Sequence, residues 1–275
     1  MKYKLIAIDM DGTLLNSENE ISKRNREALY KATKQGVYVV LTTGRILPSA
    51  IYYGKSINLD NPIIACNGAI ISNGGTKDII YENKMSFDSS KKVVELANKY
   101  DIHFHFYDKS TFYTKKVSEE TEQYYFSFQD SLKKQGIEFR ILENVMETLE
   151  TIKPNVYKFI FVEDDEDKLS SFRKEISSIK GINISSSWHN NLEVMNEGVS
   201  KGSGLEYLCR ELNIEKSQIV AIGDNENDIS MLKIAGLAVA MENGDDIIKE
   251  YSHIVTHTND EDGVARVIEE HILNS

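Results

Sequence analysis

The chain has 275 residues, 41% of them hydrophobic, and its 43 acidic against 32 basic side chains give a formal net charge of -11. That length can bury a large core, more readily as two compact units than as one, while the acidic excess excludes a duplex nucleic-acid partner, whose phosphates are held by clustered Lys and Arg. The N-terminus runs straight into a strand with no signal-peptide pattern, and no apolar run approaches the ~18 residues of a spanning helix, so a cytoplasmic protein with no membrane partner is expected.

Leu5 to Ile8 is a short apolar run followed by the turn residue Gly12, which predicts a buried strand in a sheet covered on both faces. Asp9 and Asp11 leave its carboxyl end, where open parallel α/β sheets bind their ligands. Two carboxylates so close repel, and one must keep its proton unless a cation or a lysine offsets the charge. Helical spacing follows over 22–35, with Ile21, Ala28, Leu29 and Ala32 inward, Ser22 as N-cap and Gly36 as the stop. Val37 to Leu41 is a second strand that ends in Thr42, Thr43, Gly44 and Arg45, and a further helical segment leads to a third apolar run ending at Asn67 and Gly68. This alternation predicts right-handed parallel crossovers.

From about Glu82 to Asn191 the strands become half-polar: His103 to Tyr107, Phe112 to Thr114, Glu138 to Leu142 and Lys158 to Val162. Such strands suit an antiparallel sheet packed by helices on one face, with helices over 89–100, 118–135 and 165–180. The parallel pattern then returns with a helix over 202–212, a strand over 219–222, a helix over 228–234, and strands over 237–240 and 253–256. The expected fold class is α/β: a doubly wound, Rossmann-like parallel-sheet core spanning 1–82 and 193–275, interrupted by an α+β unit over 83–192. Cys66 and Cys209 stand far apart in apolar contexts, as core thiols rather than a disulfide framework.

Four clusters fall at the carboxyl ends of core strands or at the start of a core helix: Asp9 with Asp11, Thr43 with Gly44, Lys201, and the run from Gly223 through Asp224 and Asn227 to Asp228. A hydroxyl, an ammonium, an amide side chain and helix N-terminal N–H groups are the donors that a dianionic phosphoryl group needs. Three or four converging carboxylates without as many bases imply a hard divalent cation, and Mg²⁺ takes a few carboxylates, waters and a substrate phosphate oxygen. Shielded in this way, Asp9 can attack phosphorus in line, while Asp11 donates to the leaving oxygen and later deprotonates water. Lys201 opens a helix, where the dipole disfavours a cation, so an anionic partner is expected beside it.

The same residues resemble the haloacid dehalogenase superfamily, and within it the Cof-type phosphatases of subfamily IIB, whose large α/β cap is inserted between the second and third motifs. Asp9-Met10-Asp11-Gly12-Thr13 is similar to the first motif, Thr43-Gly44-Arg45 to the second, Lys201 to the third, and Gly223-Asp224 through Asn227-Asp228 to the fourth. Asn67-Gly68-Ala69 also matches a family signature. The resemblance implies a Mg²⁺-dependent phosphatase acting on small phosphorylated metabolites, sugar phosphates or phosphorylated cofactors, through an aspartyl-phosphate. It implies Asp9 as nucleophile and metal ligand, and Asp11 as general acid/base whose backbone carbonyl also binds the metal. Asp224 would complete the metal ligands, with Asp228 beside it, direct or through water. Thr43, Gly44, Lys201, Asn227 and the backbone at Met10 would hold the phosphate, and the cap would set specificity.

The alternatives are a phosphoryl transferase or mutase passing the group to a sugar hydroxyl, and a non-catalytic metabolite sensor. His103 and His105 share one strand face but read as sheet packing rather than a metal site. The aromatic run Tyr124 to Phe128 reads as one helix face of the cap core, and Trp188, His189 and Met195 as packing residues. Monomer and homodimer are both compatible with the sequence.

Overall fold

The computed structural model describes residues 2–74, 78–115, 129–153 and 155–274. β1 (Leu5–Ile8) is buried throughout. Leu5 and Ala7 pack into one apolar cluster and Ile6 and Ile8 into another, the alternation of a strand covered on both faces. α1 (Lys23–Lys34) starts at Ser22, whose hydroxyl accepts from the Asn25 N–H and so satisfies one of the open donors of the first turn. β2 (Tyr38–Thr42), α2 (Leu47–Ser56), β3 (Ile63–Ala65), β4 (Ile70–Ser72) and β5 (Ile79–Glu82) follow.

A second unit comprises α3 (Phe87–Tyr100), β6 (His103–Tyr107), β7 (Thr111–Lys115), β8 (Glu138–Leu142), α4 (Val145–Ile152), β9 (Lys158–Val162), α5 (Glu166–Ile176), β10 (Ile182–Ser185) and β11 (Asn191–Asn196). The chain then returns to the first sheet through α6 (Lys201–Leu212), β12 (Ile219–Gly223), α7 (Ile229–Leu232), β13 (Leu237–Met241), α8 (Asp246–Glu250), β14 (Ile254–Thr256) and α9 (Gly263–Ile268).

Among the described residues the first sheet runs β14-β13-β12-β1-β2-β3-β4-β5. It is parallel from β14 to β3, and β4 and β5 extend it antiparallel. One face packs on α1, α2 and α9 through Leu29, Ala50 and Ile268, the other on α6 and α7 through Leu205, Leu208 and Met231. Such a doubly wound sheet leaves its strand ends as the open crevice.

The second sheet runs β10-β11-β9-β6-β7-β8. It is antiparallel as expected apart from one pair, because β8 lies parallel to β7. Parallel neighbours need a long crossover, and the connection over 116–137 is long enough. The expected helix over 118–135 and the aromatic run Tyr124 to Phe128 fall largely or wholly in 116–128, outside the described residues, while 129–134 is helical. In β6 and β9, Phe104, Phe106, Phe159 and Phe161 bury into the unit's own core with Phe172. The alternate positions Tyr107 and Ile160 join the cluster of the first sheet. Period-two alternation thus gives the second sheet one face for its own core and one turned toward the strand ends of the first.

Candidate active site

β1 and β12 are adjacent parallel strands, with Ile8 paired to Ile222, so the residues that follow them emerge side by side. Asp9 follows β1, and its N–H donates to Ile222 O at 3.0 Å. Asp224 and Asp228 follow β12. The Asp228 carboxylate folds back to accept from the Asp224 and Asn225 N–H groups at 3.0 and 3.1 Å. Gly223 makes room for this turn, since a Cβ there would stand 2.4 Å from the Asp228 Cγ. Lys201, the first residue of α6, follows the Ser200 cap. Its Nζ lies 2.6 Å from both Asp9 Oδ1 and Asp228 Oδ1, which accounts for a cation at a helix start.

Asp9, Asp224 and Asp228 are buried and bring one carboxylate oxygen each within 4.8 Å of one another. Burial, and next the charge of Asp228, push the Asp9 carboxyl well above its ordinary range. The same two causes raise Asp224 to about 7, although Thr13 Oγ1 donates to Asp224 Oδ1 at 2.8 Å. Burial opposes the charge on Lys201, but Asp228 and Asp9 outweigh it and hold the ammonium protonated. Three buried carboxylates around one ammonium leave negative charge uncompensated, and an all-oxygen donor set of this kind suits a hard divalent cation. These residues therefore fit the metal that the sequence implies.

Asp11 departs from this cluster. Arg45 grips its carboxylate through Nε at 2.8 Å and Nη2 at 2.5 Å, a two-pronged contact that fixes the orientation of the acid. Thr43 is fully buried, and its Oγ1 accepts from the Arg45 N–H at 3.1 Å. Gly44 borders the same cavity, of about 270 Å³, with Asp9, Asp11 and Asn227. The Met10 side chain is buried in the core, and its carbonyl accepts from the Leu14 and Leu15 N–H groups.

Residues to which the sequence assigned no site role complete the wall. Lys158 of β9 and Glu193 of β11 are buried 2.7 Å apart and border the cavity. A signal was present in each strand, since Lys158 opens the apolar run of β9 and Glu193 is the one charge in β11, between Leu192 and Val194. Asn67 connects the sheets: its Nδ2 donates to Glu193 Oε2 at 2.6 Å and its Oδ1 accepts from Asn227 Nδ2 at 3.4 Å. Met195 is buried as expected, but Trp188 is 63% exposed on the cavity rim and His189 is exposed, because they sit at a hairpin tip that Asn191 ties together through the Ser187 and Trp188 N–H groups. His103 and His105 lie in the second sheet and outside the acidic cluster; the His105 ring stacks on Phe112. Cys66 and Cys209 are free, buried thiols.

The family model for haloacid dehalogenase-like hydrolases matches residues 6–268. The chain belongs to that family. Within it, this haloacid dehalogenase-like hydrolase is of the Cof type and is a phosphatase. It is 33% identical to the 5-amino-6-(5-phospho-D-ribitylamino)uracil phosphatase YwtE of Bacillus subtilis, over 97% of each chain. It is 30% identical to the pyridoxal phosphate phosphatase YbhA of Escherichia coli, over 99% of this chain and all of that one, 100%. A solved haloacid dehalogenase-like hydrolase from Bacillus subtilis superposes with a TM-score of 0.88 at 28% identity, covering 98% of this chain and 100% of the other. A parallel core sheet with an inserted mixed cap sheet is the architecture of this hydrolase class. No helix among the described residues is long and apolar enough to cross a membrane.

Proposed function

We propose that this hydrolase releases phosphate from monoesters of small metabolites through an aspartyl-phosphate on Asp9, with Mg²⁺ as its metal. The observation that carries the reading is the buried convergence of Asp9, Asp224, Asp228 and Lys201 at the ends of β1 and β12. Asp9, Asp224, Asp228 and the Asp11 carbonyl would hold the ion, Asp228 directly or through water. When bound, Mg²⁺ neutralises the carboxylates and draws electron density from a phosphate oxygen.

The chain's own groups supply the rest. The Asp9 carboxylate attacks phosphorus while Lys201 offsets charge beside it, and the ester oxygen departs with a proton from Asp11. Asp11 then takes a proton from water, the water oxygen attacks the same phosphorus, and Asp9 is regenerated as phosphate leaves. Thr43, the Gly44 and Met10 N–H groups, Lys201 and Asn227 hold the phosphate oxygens. Tyr107, Ile160 and Trp188 border the same cavity as Asp9 and Asp11, and the alcohol part of the ester would sit against them. The substrates printed in the names of YwtE and YbhA, a ribitylaminouracil phosphate and pyridoxal phosphate, support a phosphorylated cofactor or cofactor precursor of that size.

The test is phosphate release from those two compounds and a set of sugar phosphates, with Mg²⁺ and with chelator, beside Asp9→Asn. Metal-dependent release abolished in the variant is expected. Transfer of the group to an added acceptor without release, or no turnover of any ester, would overturn the reading.

A further inference from the structure

The phosphate-binding loops are tied to the cap by an unbroken set of buried polar contacts. Lys158 Nζ donates to Gly44 O at 2.6 Å and to Glu193 Oε1 at 2.7 Å. Gly44 O and the Arg45 N–H belong to one peptide group, and that N–H donates to Thr43 Oγ1 at 3.1 Å. An ammonium on the carbonyl end polarises the peptide and strengthens donation from its other end. With a lone pair of its oxygen so engaged, the Thr43 hydroxyl is left to donate its own proton elsewhere.

A second branch leaves Glu193. Its Oε1 also accepts from Ser187 Oγ at 3.0 Å, and its Oε2 accepts from Asn67 Nδ2, whose amide in turn accepts from Asn227 Nδ2. Asn67 is itself bound to the loop after β2, its N–H donating to Thr43 O at 2.9 Å, and it sits at a left-handed φ of 55° beside Cys66 at 48°. Two adjacent non-glycine residues in that region are costly and persist only where surrounding contacts fix them. Lys158 and Glu193 are 1% and 2% exposed, and Lys158 holds the Glu193 carboxyl below its usual range against the effect of burial. Both oxygens of Glu193 are already engaged by the protein, which suits a brace better than a substrate contact.

We propose that Lys158 and Glu193 are positioning residues: docked from the cap, they orient Thr43, Gly44 and Asn227, so that affinity for the phosphate group itself depends on the cap. The proposal rests on the phosphatase reading for the role of those three residues. Its test is calorimetric binding of inorganic phosphate, which has no alcohol part for the cap to recognise, in the presence of Mg²⁺. The proteins compared are the wild type, Glu193→Gln, and the double variant Lys158→Met/Glu193→Leu. The double variant replaces the ion pair by apolar groups of similar size, which avoids orphaning a buried charge. Glu193→Gln keeps the shape and decides the question should the double variant not fold.

The expected result is phosphate affinity weakened about tenfold or more in the double variant, the scale on which loss of a supporting partner is felt at metal sites, and less in Glu193→Gln. KM and kcat for 4-nitrophenyl phosphate would both worsen. Phosphate binding within about twofold of wild type in the folded variants overturns the proposal, even if KM for larger metabolites rises, since the pair would then serve only the alcohol part or the cap's stability. A wild type that binds phosphate but hydrolyses no ester would remove the functional reading and leave the binding comparison to decide this one. A wild type that hydrolyses esters yet binds no phosphate overturns this proposal and leaves the functional reading standing.

Discussion

Gly12→Ala is a substitution of one methyl group whose cost can be assembled from two contacts. Gly12 has φ +76, and a Cβ on it would lie 2.3 Å from Asp224 Oδ2. Holding alanine in the left-handed region costs about 1–2 kcal/mol. Moving Asp224 to relieve the clash also strains its hydrogen bond from Thr13, 2.8 Å long, and bonds to charged groups contribute about 1.5–3 kcal/mol. Together these give roughly 2–4 kcal/mol, taking the low end for a carboxyl that is partly protonated at neutral pH. In a chain of this size that corresponds to a fall of roughly 4–16 °C in Tm. Gly36→Ala is the control, because Gly36 has φ +85 and nothing within 4 Å of a built Cβ; it should lose only the backbone part, about 2–8 °C. Thermal unfolding by circular dichroism, with and without Mg²⁺, reads both. The thermal shift caused by Mg²⁺ should shrink in Gly12→Ala and remain in Gly36→Ala. Equal Tm losses in the two variants, with equal Mg²⁺ shifts, would refute the idea that Gly12 exists to leave space for Asp224.

Three further outcomes follow from the same geometry. Asp9→Asn should abolish turnover while leaving the metal-free Tm unchanged or higher, since it removes one charge from a repelling buried group; a large loss of Tm would contradict the electrostatic account. Asp224 has its folded pKa raised from 3.8 to about 7. Its contribution to stability in the metal-free protein is therefore full below about pH 4 and is lost as pH rises through about 7, whereas Mg²⁺ must displace its proton to bind. The Mg²⁺ thermal shift should accordingly be larger at pH 8 than at pH 6, and a pH-independent shift would count against Asp224 as a ligand. Burial, then His103 and Lys158, lower His105 to about 3. Its stabilising contribution is present above pH 6.5 and is lost as pH falls toward 3, by about 2 kcal/mol at pH 5. His105→Phe, which keeps a ring against Phe112, should flatten denaturation midpoints between pH 6.5 and 5; an unchanged acid limb would exclude His105 as its source.

The acidic cluster and the core sheet were legible because local sequence encodes them. β1, β2 and β12 are built on apolar runs, and the candidate site residues come immediately after them, so strand order alone brings Asp9 beside Asp224. Lys201 was legible through its conflict with the helix dipole. The cap was less so. β10 is short and half-buried, and its pairing with β11 is set by tertiary neighbours rather than by its own period. The parallel placement of β8 depends on a long connection, not on the strand's residues. Lys158 and Glu193 lie 35 positions apart and meet only because β9 and β11 are neighbours in one sheet; neither spacing nor motif announces such a pair. The Arg45 grip on Asp11 was similarly hidden, since the guanidinium joins residues 34 apart on different strand ends.

The central strand of the first sheet has neighbours of very different origin. β1 pairs on one side with β2, where Leu5 meets Tyr38, and on the other with β12, where Leu5 meets Ile219. During synthesis at about 5–20 residues per second, β1 would wait roughly 10–40 s for its second partner while the whole cap is made. Throughout that interval its hydrogen-bonding edge is open, and Asp9 has neither Lys201 nor Asp224 beside it. The nascent chain thus passes through a stage that is exposed to mispairing, and the buried acidic cluster closes only once residues 201–228 have been made.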